Sequence, residues 1–187
     1  MVLSMTNSQL RTMYMRDHPP IIRPALEVHR LTSVSSFLHT RMHSSARNLW
    51  FRLLHNKVPS KVNLRPILRL PDEMCVFCGG RETTAHMLFT CPSHADAWTN
   101  YFALVFVPSG PLNMDQVSQD IMSLNLQEYR LLDSELKVSV FEAVTCLLTS
   151  VWRAKWQHHF DAVAPDNQSI VDRAMVNLRH LSALNIL

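Results

Sequence analysis

Three of the four cysteines in this chain lie within seventeen residues, together with a histidine and two of the three glycines. The segment reads CVFCGGRETTAHMLFTC, and its spacing is Cys75-x2-Cys78-x7-His86-x4-Cys91. A Cys-x2-Cys turn lets two thiolates of one tight loop reach the same ion, and zinc binds thiolate and imidazole tetrahedrally. The glycine pair that follows Cys78 suits such a loop, because glycine tolerates positive φ. The spacing therefore predicts one Zn²⁺ in a closed, structural site.

The same segment offers a second set of four ligands. Cys91-Pro-Ser-His94 repeats the two-residue spacing, so His94 could replace His86 as the fourth ligand. Pro92 stiffens that second loop, and the spacing favours His86 without excluding His94. The alternative to a metal site is a set of buried free thiols beside a core histidine.

Composition predicts a mainly α-helical fold. Apolar residues make up 47% of the chain and charged residues 18%, which is enough to build a sizeable core. Sheets joined by tight hairpins normally need more turn glycine than the three present here. No apolar run reaches 18 residues, and the first residues lack the apolar centre of a signal peptide. We therefore expect a soluble, intracellular protein without membrane association, in which clustered cysteines indicate metal rather than disulfides.

The chain divides into three parts by sequence. Residues 1–40 form a leader of uncertain order, residues 41–98 a small zinc-stabilised helical module, and residues 99–187 a helical C-terminal region. Prolines and a glycine at 108–111 separate the module and the short apolar run after it from the later helices.

Helical periodicity begins at residue 31 and continues to about residue 56. Four apolar residues form its stripe: Ala46, Leu49, Trp50 and Leu53. Ser60 is a predicted N-cap of a short second helix, which Pro66 ends or kinks. Thr83 is a predicted cap for the turn that brings His86 inward.

Four further helices are predicted in the second half. Two are short, at 114–124 and 126–134, and a long one extends through residue 160 and stops before Pro165. The apolar stripe of the long helix is Phe141, Val144, Leu148, Val151 and Trp152. A last helix starts near Asn167.

Charge is unevenly distributed along the chain. Through Cys91 there are 12 Lys/Arg against 5 Asp/Glu, and the remainder has 6 against 10. No acid occurs between Glu27 and Asp72, whereas eight Lys/Arg do. A one-signed stretch beside a metal module indicates a polyanionic partner, RNA or DNA, although a solvated helix face has the same composition. The predicted phosphate-binding residues are Arg47, Arg52, Lys57, Lys61, Arg65, Arg69 and Arg81.

Three segments together resemble a known family. NLWFRLLHNKVPSKVNL, CVFCGGRETTAHMLFTCP and Trp98 are similar to the zinc-binding domain that follows the polymerase in non-LTR (LINE-type) reverse transcriptases. The family pattern is matched at Trp50, Leu53, Leu54, His55, Asn56, Pro59, Lys61, Cys75, Cys78, Glu82, Thr83, His86, Cys91, Pro92 and Trp98. The match covers residues 41 to 98, and Pro66 departs from the usual pattern. The later segment VWRAKWQHHF also resembles, more weakly, a Trp-rich helix downstream in such proteins.

The resemblance implies a ligand set of Cys75, Cys78, His86 and Cys91, with His94 outside it. It also implies a nucleic-acid-binding accessory module that comes from a retrotransposon and accompanies a reverse transcriptase. The Tyr-x-Asp-Asp strand of the polymerase is absent from this sequence, as are a Walker loop and a Rossmann fingerprint. We therefore expect no enzymatic activity of the chain alone.

Two interpretations of function remain at this point. One is nucleic-acid binding through the basic residues, and the other is a protein-interaction module that docks through Trp152 and Trp156. Trp50 and Trp98 fall in apolar patterns, so core packing is favoured over base stacking. Cys146 is expected to be a core residue. Asp72-Glu73 and the His158-His159-x-Asp161 group are expected to be solvated.

Overall fold

The computed structural model describes residues 31–108 and 110–185. Most of the predicted leader therefore lies outside the described residues. Within these ranges seven α-helices occur in chain order: α1 Leu31–His39, α2 Ser44–Leu54, α3 Lys61–Leu68, α4 Ala95–Val105, α5 Met114–Met122, α6 Val140–Asp161 and α7 Asn167–Leu184. A short π-helical turn, His86–Thr90, precedes α4. The described ranges contain no β-strand, only two isolated bridges. The prediction of a mainly α-helical fold is confirmed.

The helix predicted from residue 31 to about residue 56 is two helices. Between α1 and α2 the ring of His43 accepts a hydrogen bond from the Ser45 N–H and caps α2. Arg47 Nη2 donates to the carbonyl oxygen of Thr40 at 2.7 Å, and this hydrogen bond satisfies a backbone acceptor just after α1. These side-chain contacts replace the hydrogen bonds of a continuous helix.

The prediction of a short helix at 126–134 is also wrong. The Val107 N–H donates to the Arg130 carbonyl at 2.9 Å, and the Leu132 N–H donates to the Val105 carbonyl at 2.8 Å. Backbone groups that would have made a helix instead pair with the backbone at the C-terminal end of α4 and just beyond it. Leu124, at φ 57°, turns the chain out of α5 before this segment.

One apolar core contains residues from α1, α2, α4, α5, α6 and α7. Trp50 and Trp98 are both fully buried in it, which confirms that they pack rather than stack on bases. The Trp50 indole N–H donates to Thr145 Oγ1 at 2.7 Å, and the Trp98 indole N–H donates to the Leu88 carbonyl at 2.8 Å. Each ring thus buries its apolar surface while its polar atom is satisfied.

Helices α6 and α7 pack along one another as a helical hairpin. Ser139 and Glu142 form a reciprocal capping box at the start of α6, and Asp166 caps α7 by accepting from the Ser169 N–H. Ala162, at φ 55°, ends α6 three residues before Pro165, as the sequence predicts. The predicted stripe of α6 is buried, except that Trp152 is half-buried. Cys146 lies in the core as expected.

The predicted boundary between residues 98 and 99 falls inside α4. Because the apolar core includes both sides of it, the division stays a prediction drawn from sequence. None of the helices in the described ranges has the length and apolar composition needed to cross a bilayer.

Candidate metal centre

A tight turn brings Cys75 and Cys78 together. The Gly79 N–H donates to the Cys75 carbonyl at 2.9 Å, and the Cys75 N–H donates to the Gly80 carbonyl at 2.6 Å. Gly79 has φ +70°, which a side chain would make unfavourable. A bridge between Met74 and Arg81 closes the base of the turn. The glycine pair therefore has the role that the sequence predicts.

The π-helical turn supplies the other two ligands. The Cys91 N–H donates to the His86 carbonyl at 3.0 Å, the i→i+5 bond that defines this turn. Residues five apart diverge by about 140° around an α-helix, whereas the i→i+5 bond stacks residue 91 near residue 86. Thr83 Oγ1 accepts from the His86 N–H at 3.1 Å, so the predicted cap is present.

The four ligand atoms form a compact group. Cys91 Sγ lies 3.8 Å from Cys75 Sγ and 3.8 Å from Cys78 Sγ, and Cys78 Sγ lies 3.2 Å from His86 Nε2. All four atoms are within 4.8 Å of one another. Zn–S bonds of about 2.3 Å at tetrahedral angles place sulfurs about 3.8 Å apart, and sulfur and nitrogen about 3.5 Å apart. This Cys₃His cluster can therefore hold one metal ion, and zinc fits its size and donor atoms.

His94, the alternative fourth ligand, lies outside the cluster. Its Nδ1 is 3.2 Å from Ser93 Oγ, which is in turn 3.1 Å from Cys91 Sγ. The imidazole is 3% exposed, and its Nε2 has no hydrogen-bond partner among the residues that the structure describes. Burial lowers the pKa of His94 to about 4, so the ring is neutral at pH 7. His94 thus supports Cys91 through the Ser93 hydroxyl.

The ligands differ in how easily they lose a proton. The backbone N–H of Gly80 donates to Cys78 Sγ and lowers the pKa of this thiol. Burial raises the pKa of Cys91 to about 11 and lowers that of His86. Because metal ligands must be deprotonated, a metal ion would have to displace the proton of Cys91, whereas His86 is neutral at pH 7.

A buried ion pair joins this segment to α6. Glu82 is 2% exposed; its Oε2 lies 2.6 Å from Lys155 Nζ, and its Oε1 accepts from the Lys61 N–H at 3.1 Å. Lys155 Nζ is also 5.0 Å from the centre of the Phe77 ring, and that ring packs edge-on against His158 at 4.5 Å. His158 is therefore only partly exposed, whereas His159 and Asp161 of the same group are exposed, as expected. The sequence analysis did not predict these contacts between the metal segment and α6, because local sequence patterns do not indicate pairing between residues 73 positions apart.

Three of the predicted phosphate-binding residues pair with acids. Lys61 Nζ lies 3.1 Å from Asp72, Arg65 Nη1 lies 3.2 Å from Glu73, and Arg81 Nε lies 2.7 Å from Glu73. The Met74 N–H and Lys61 hold the pKa of Asp72 below its usual value, and the two arginines do the same for Glu73. Asp72 is exposed in a loop, as expected, but Glu73 is only partly exposed, and both acids are ion-paired.

The structure does not gather the other four basic residues into that cluster. Arg47 is half-buried against Thr40, and Arg52 is exposed and donates to Asn48 Oδ1 at 3.0 Å. Lys57 and Arg69 are exposed, and Arg69, at φ 51°, ends α3. The predicted set is therefore one ion-paired group beside the metal centre and four more dispersed residues.

Comparisons with known proteins found no family model, no curated protein and no solved structure that matches this chain. Fold and site together define a mainly α-helical protein whose Cys₃His cluster could hold a metal ion.

Proposed function

We propose that the chain is a zinc-stabilised module that binds RNA or DNA, of the reverse-transcriptase zinc-binding type. The observation that carries this proposal is the Cys₃His geometry, with ligand atoms spaced as tetrahedral zinc requires, beside exposed basic residues of α2 and α3. All four coordination positions are filled by side chains, which is typical of a structural rather than a catalytic zinc site. A retrotransposon origin rests on the sequence resemblance alone.

The metal itself would not attract phosphate. Three thiolates and Zn²⁺ sum to a charge of −1, so the attraction must come from surrounding basic residues. Residues 41–91 contain eight Lys/Arg and three Asp/Glu, and one of those acids, Glu82, is paired with Lys155 of α6. A basic excess therefore remains on the zinc-binding part of the chain.

The ion pairs near the site do not prevent phosphate binding. The side chains of Arg65 and Arg81 remain 52% and 65% exposed. Exposed ion pairs of this kind contribute about 0–1 kcal/mol, so a phosphate can compete with Glu73 for the same guanidinium groups. Arg52 and Arg69 are exposed without an Asp or Glu pair among the described residues, and they are the stronger candidates for phosphate contact; Lys57 is exposed as well.

Salt dependence tests the proposal. Single-stranded nucleic acid gives a slope of about −0.7 in log K against log[salt] for each phosphate contact, so four contacts predict about −3. We expect Arg52→Ala, Lys57→Ala and Arg69→Ala together to flatten this slope by up to about 2 without loss of zinc. Fluorescence anisotropy with labelled single-stranded RNA and DNA of unrelated sequences measures it, and all sequences should weaken alike because phosphate contacts carry no base information.

A charge-matched control uses exposed bases of the second half. Lys137→Ala, Arg153→Ala and Arg179→Ala remove the same charge outside the zinc-binding segment, and the slope should stay at its wild-type value. Equal slopes in the two triple variants would show that only net charge matters, and zinc-loaded wild type that binds neither RNA nor DNA would exclude the proposal.

A second candidate is a protein-docking module, for example on a reverse transcriptase. It is favoured by the end of α6, where Phe160 is 74% exposed and its ring stacks on Trp156 at 5.6 Å. Binding of this kind would be insensitive to salt, lost in Phe160→Ser and unaffected by the basic triple variant.

A further inference from the structure

A cavity of about 560 Å³ lies between α4, α5 and the segments that follow them. Its size falls within the range of about 300–1,000 Å³ that is usual for small-molecule sites. Phe102, Phe106 and Tyr129 contribute to its wall, and the Tyr129 ring is nearly perpendicular to both phenylalanines, at 86° and 79°. Leu112 and Val117 add aliphatic surface.

Two carboxylates also line this cavity. Asp120 is 9% exposed, and it accepts hydrogen bonds from Gln116 at 3.0 Å, Asn125 at 3.3 Å and the Tyr129 hydroxyl at 2.9 Å. All three donors are neutral groups, so the negative charge of Asp120 is oriented but not balanced. Glu128 is exposed at the rim.

Arg130, which follows Tyr129, is the base nearest to these acids along the chain, and its Nη1 donates to the carbonyl oxygens of Gln127 and Tyr129 rather than to a carboxylate. Among the described lining residues none is Lys, Arg or His, and neither acid is in an ion pair within the described part of the chain. The sequence has the same bias, because residues 82–129 contain five Asp/Glu and no Lys or Arg. The cavity is therefore apolar, aromatic and negatively charged.

We propose that this cavity binds a small organic cation, an ammonium or guanidinium group on an apolar body. The cation would face Asp120 and Glu128, and the apolar body would contact the aromatic wall. Aromatic rings attract cations electrostatically, and the attraction is strongest where water is excluded, as beside the buried Asp120. The cavity shares no residue with the metal centre or with the predicted phosphate-binding set.

The test compares a cation with its neutral analogue on the zinc-loaded full chain. We expect 4-phenylbutylammonium to bind about tenfold more tightly than 4-phenylbutan-1-ol, because only the cation gains the charge and ring contacts. Isothermal titration calorimetry gives both affinities. Backbone amide chemical shifts should change in α4 and α5.

Two variants locate the binding. Ala103 is exposed and lines the cavity, so Ala103→Trp should fill it and weaken binding at least about tenfold. Leu104→Trp is the matched control, since Leu104 is 56% exposed on the same helix and does not line the cavity. Glu128→Gln should weaken the cation about two- to fivefold, the range of one exposed charge pair, and leave the alcohol unchanged.

A third probe, the peptide acetyl-Phe-Arg-amide, distinguishes a cation on a partner protein from a cation on a small molecule. Tighter binding of the peptide than of the free amine would assign the site to a side chain of a partner protein, and weaker binding would assign it to a small molecule; both agree with the proposed chemistry. Equal affinity for the ammonium and the alcohol, or an unchanged affinity in Ala103→Trp, would overturn the proposal.

Discussion

The segment 72–94 and the helical hairpin of α6 and α7 are held together by different means. The hairpin has a capping box, an Asp166 N-cap and a row of buried apolar side chains, all of which its own sequence dictates. The segment 72–94 has one five-residue π-helical turn and a tight glycine turn as its regular features. It adds Met87, Leu88 and Phe89 to the apolar core and places four ligand atoms within 4.8 Å of one another.

This difference indicates where the protein depends on metal. Thiolates at 3.8 Å repel one another once deprotonated, so a cation is needed to keep them together. The hairpin has no such requirement. The two regions nevertheless touch through Glu82–Lys155 and Phe77–His158, so the state of one affects the other.

We expect the largest difference between the two regions when the metal is removed. Structural zinc contributes on the order of 10–16 kcal/mol of apparent binding free energy in small domains. We expect residues 72–94 to lose amide protection after chelation, followed by α2 and α3, while α6 and α7 keep their helicity. Hydrogen-exchange mass spectrometry measures both regions in one sample, and added Zn²⁺ is the control that restores protection. Uniform protection with and without chelator would show that the cluster is not a metal site.

Breaking the Glu82–Lys155 ion pair between the two regions should have the next largest effect, a loss of stability. Lys155→Met leaves Glu82 charged and buried without its cation, which destabilises a protein by about 3–5 kcal/mol. The double variant Glu82→Gln/Lys155→Met removes both charges and should recover much of that loss. Urea unfolding of the zinc-loaded protein measures the free energy of unfolding.

The control for Lys155→Met is Arg153→Met, because Arg153 is an exposed base on the same helix. If Lys155→Met is no more destabilising than Arg153→Met, the two regions are not coupled through this pair.

The smallest effect concerns His94 and pH. Burial lowers the pKa of His94 to about 4, so the folded state favours the neutral ring. The unfolded chain takes up the proton first, near pH 6.5, and stability is therefore present above pH 6.5 and lost as pH falls toward 4. The free energy of unfolding lost in this way amounts to at most roughly 3 kcal/mol. The variant His94→Gln should not show this loss. Urea midpoints between pH 7 and pH 5 check this, and identical pH profiles for the two proteins would contradict it.

Much of this architecture could be predicted from local sequence. Ser60 accepts from the Asn63 N–H and caps α3, and α6 ends before Pro165, because caps and proline act through nearby backbone. Pro66 lies inside α3, and the helix ends two residues later at Leu68.

The parts that could not be predicted depend on distant partners. The break at residues 40–43 depends on side-chain contacts that periodicity does not include. Arg130 and Leu132 pair with backbone near residue 106, and Glu82 pairs with a lysine on another helix. The choice of His86 over His94 follows from the π-helical turn, which spacing alone does not specify.

Zinc content of three proteins tests the central claim most directly. Native mass spectrometry at neutral pH, after dialysis against a weak competing chelator, should find one zinc in wild type, one in His94→Ala and less than stoichiometric zinc in His86→Ala. A wild type without zinc would contradict a metal-held fold for residues 72–94. Zinc retained by His86→Ala and lost by His94→Ala would show that the loop from Cys91 to His94 closes the site.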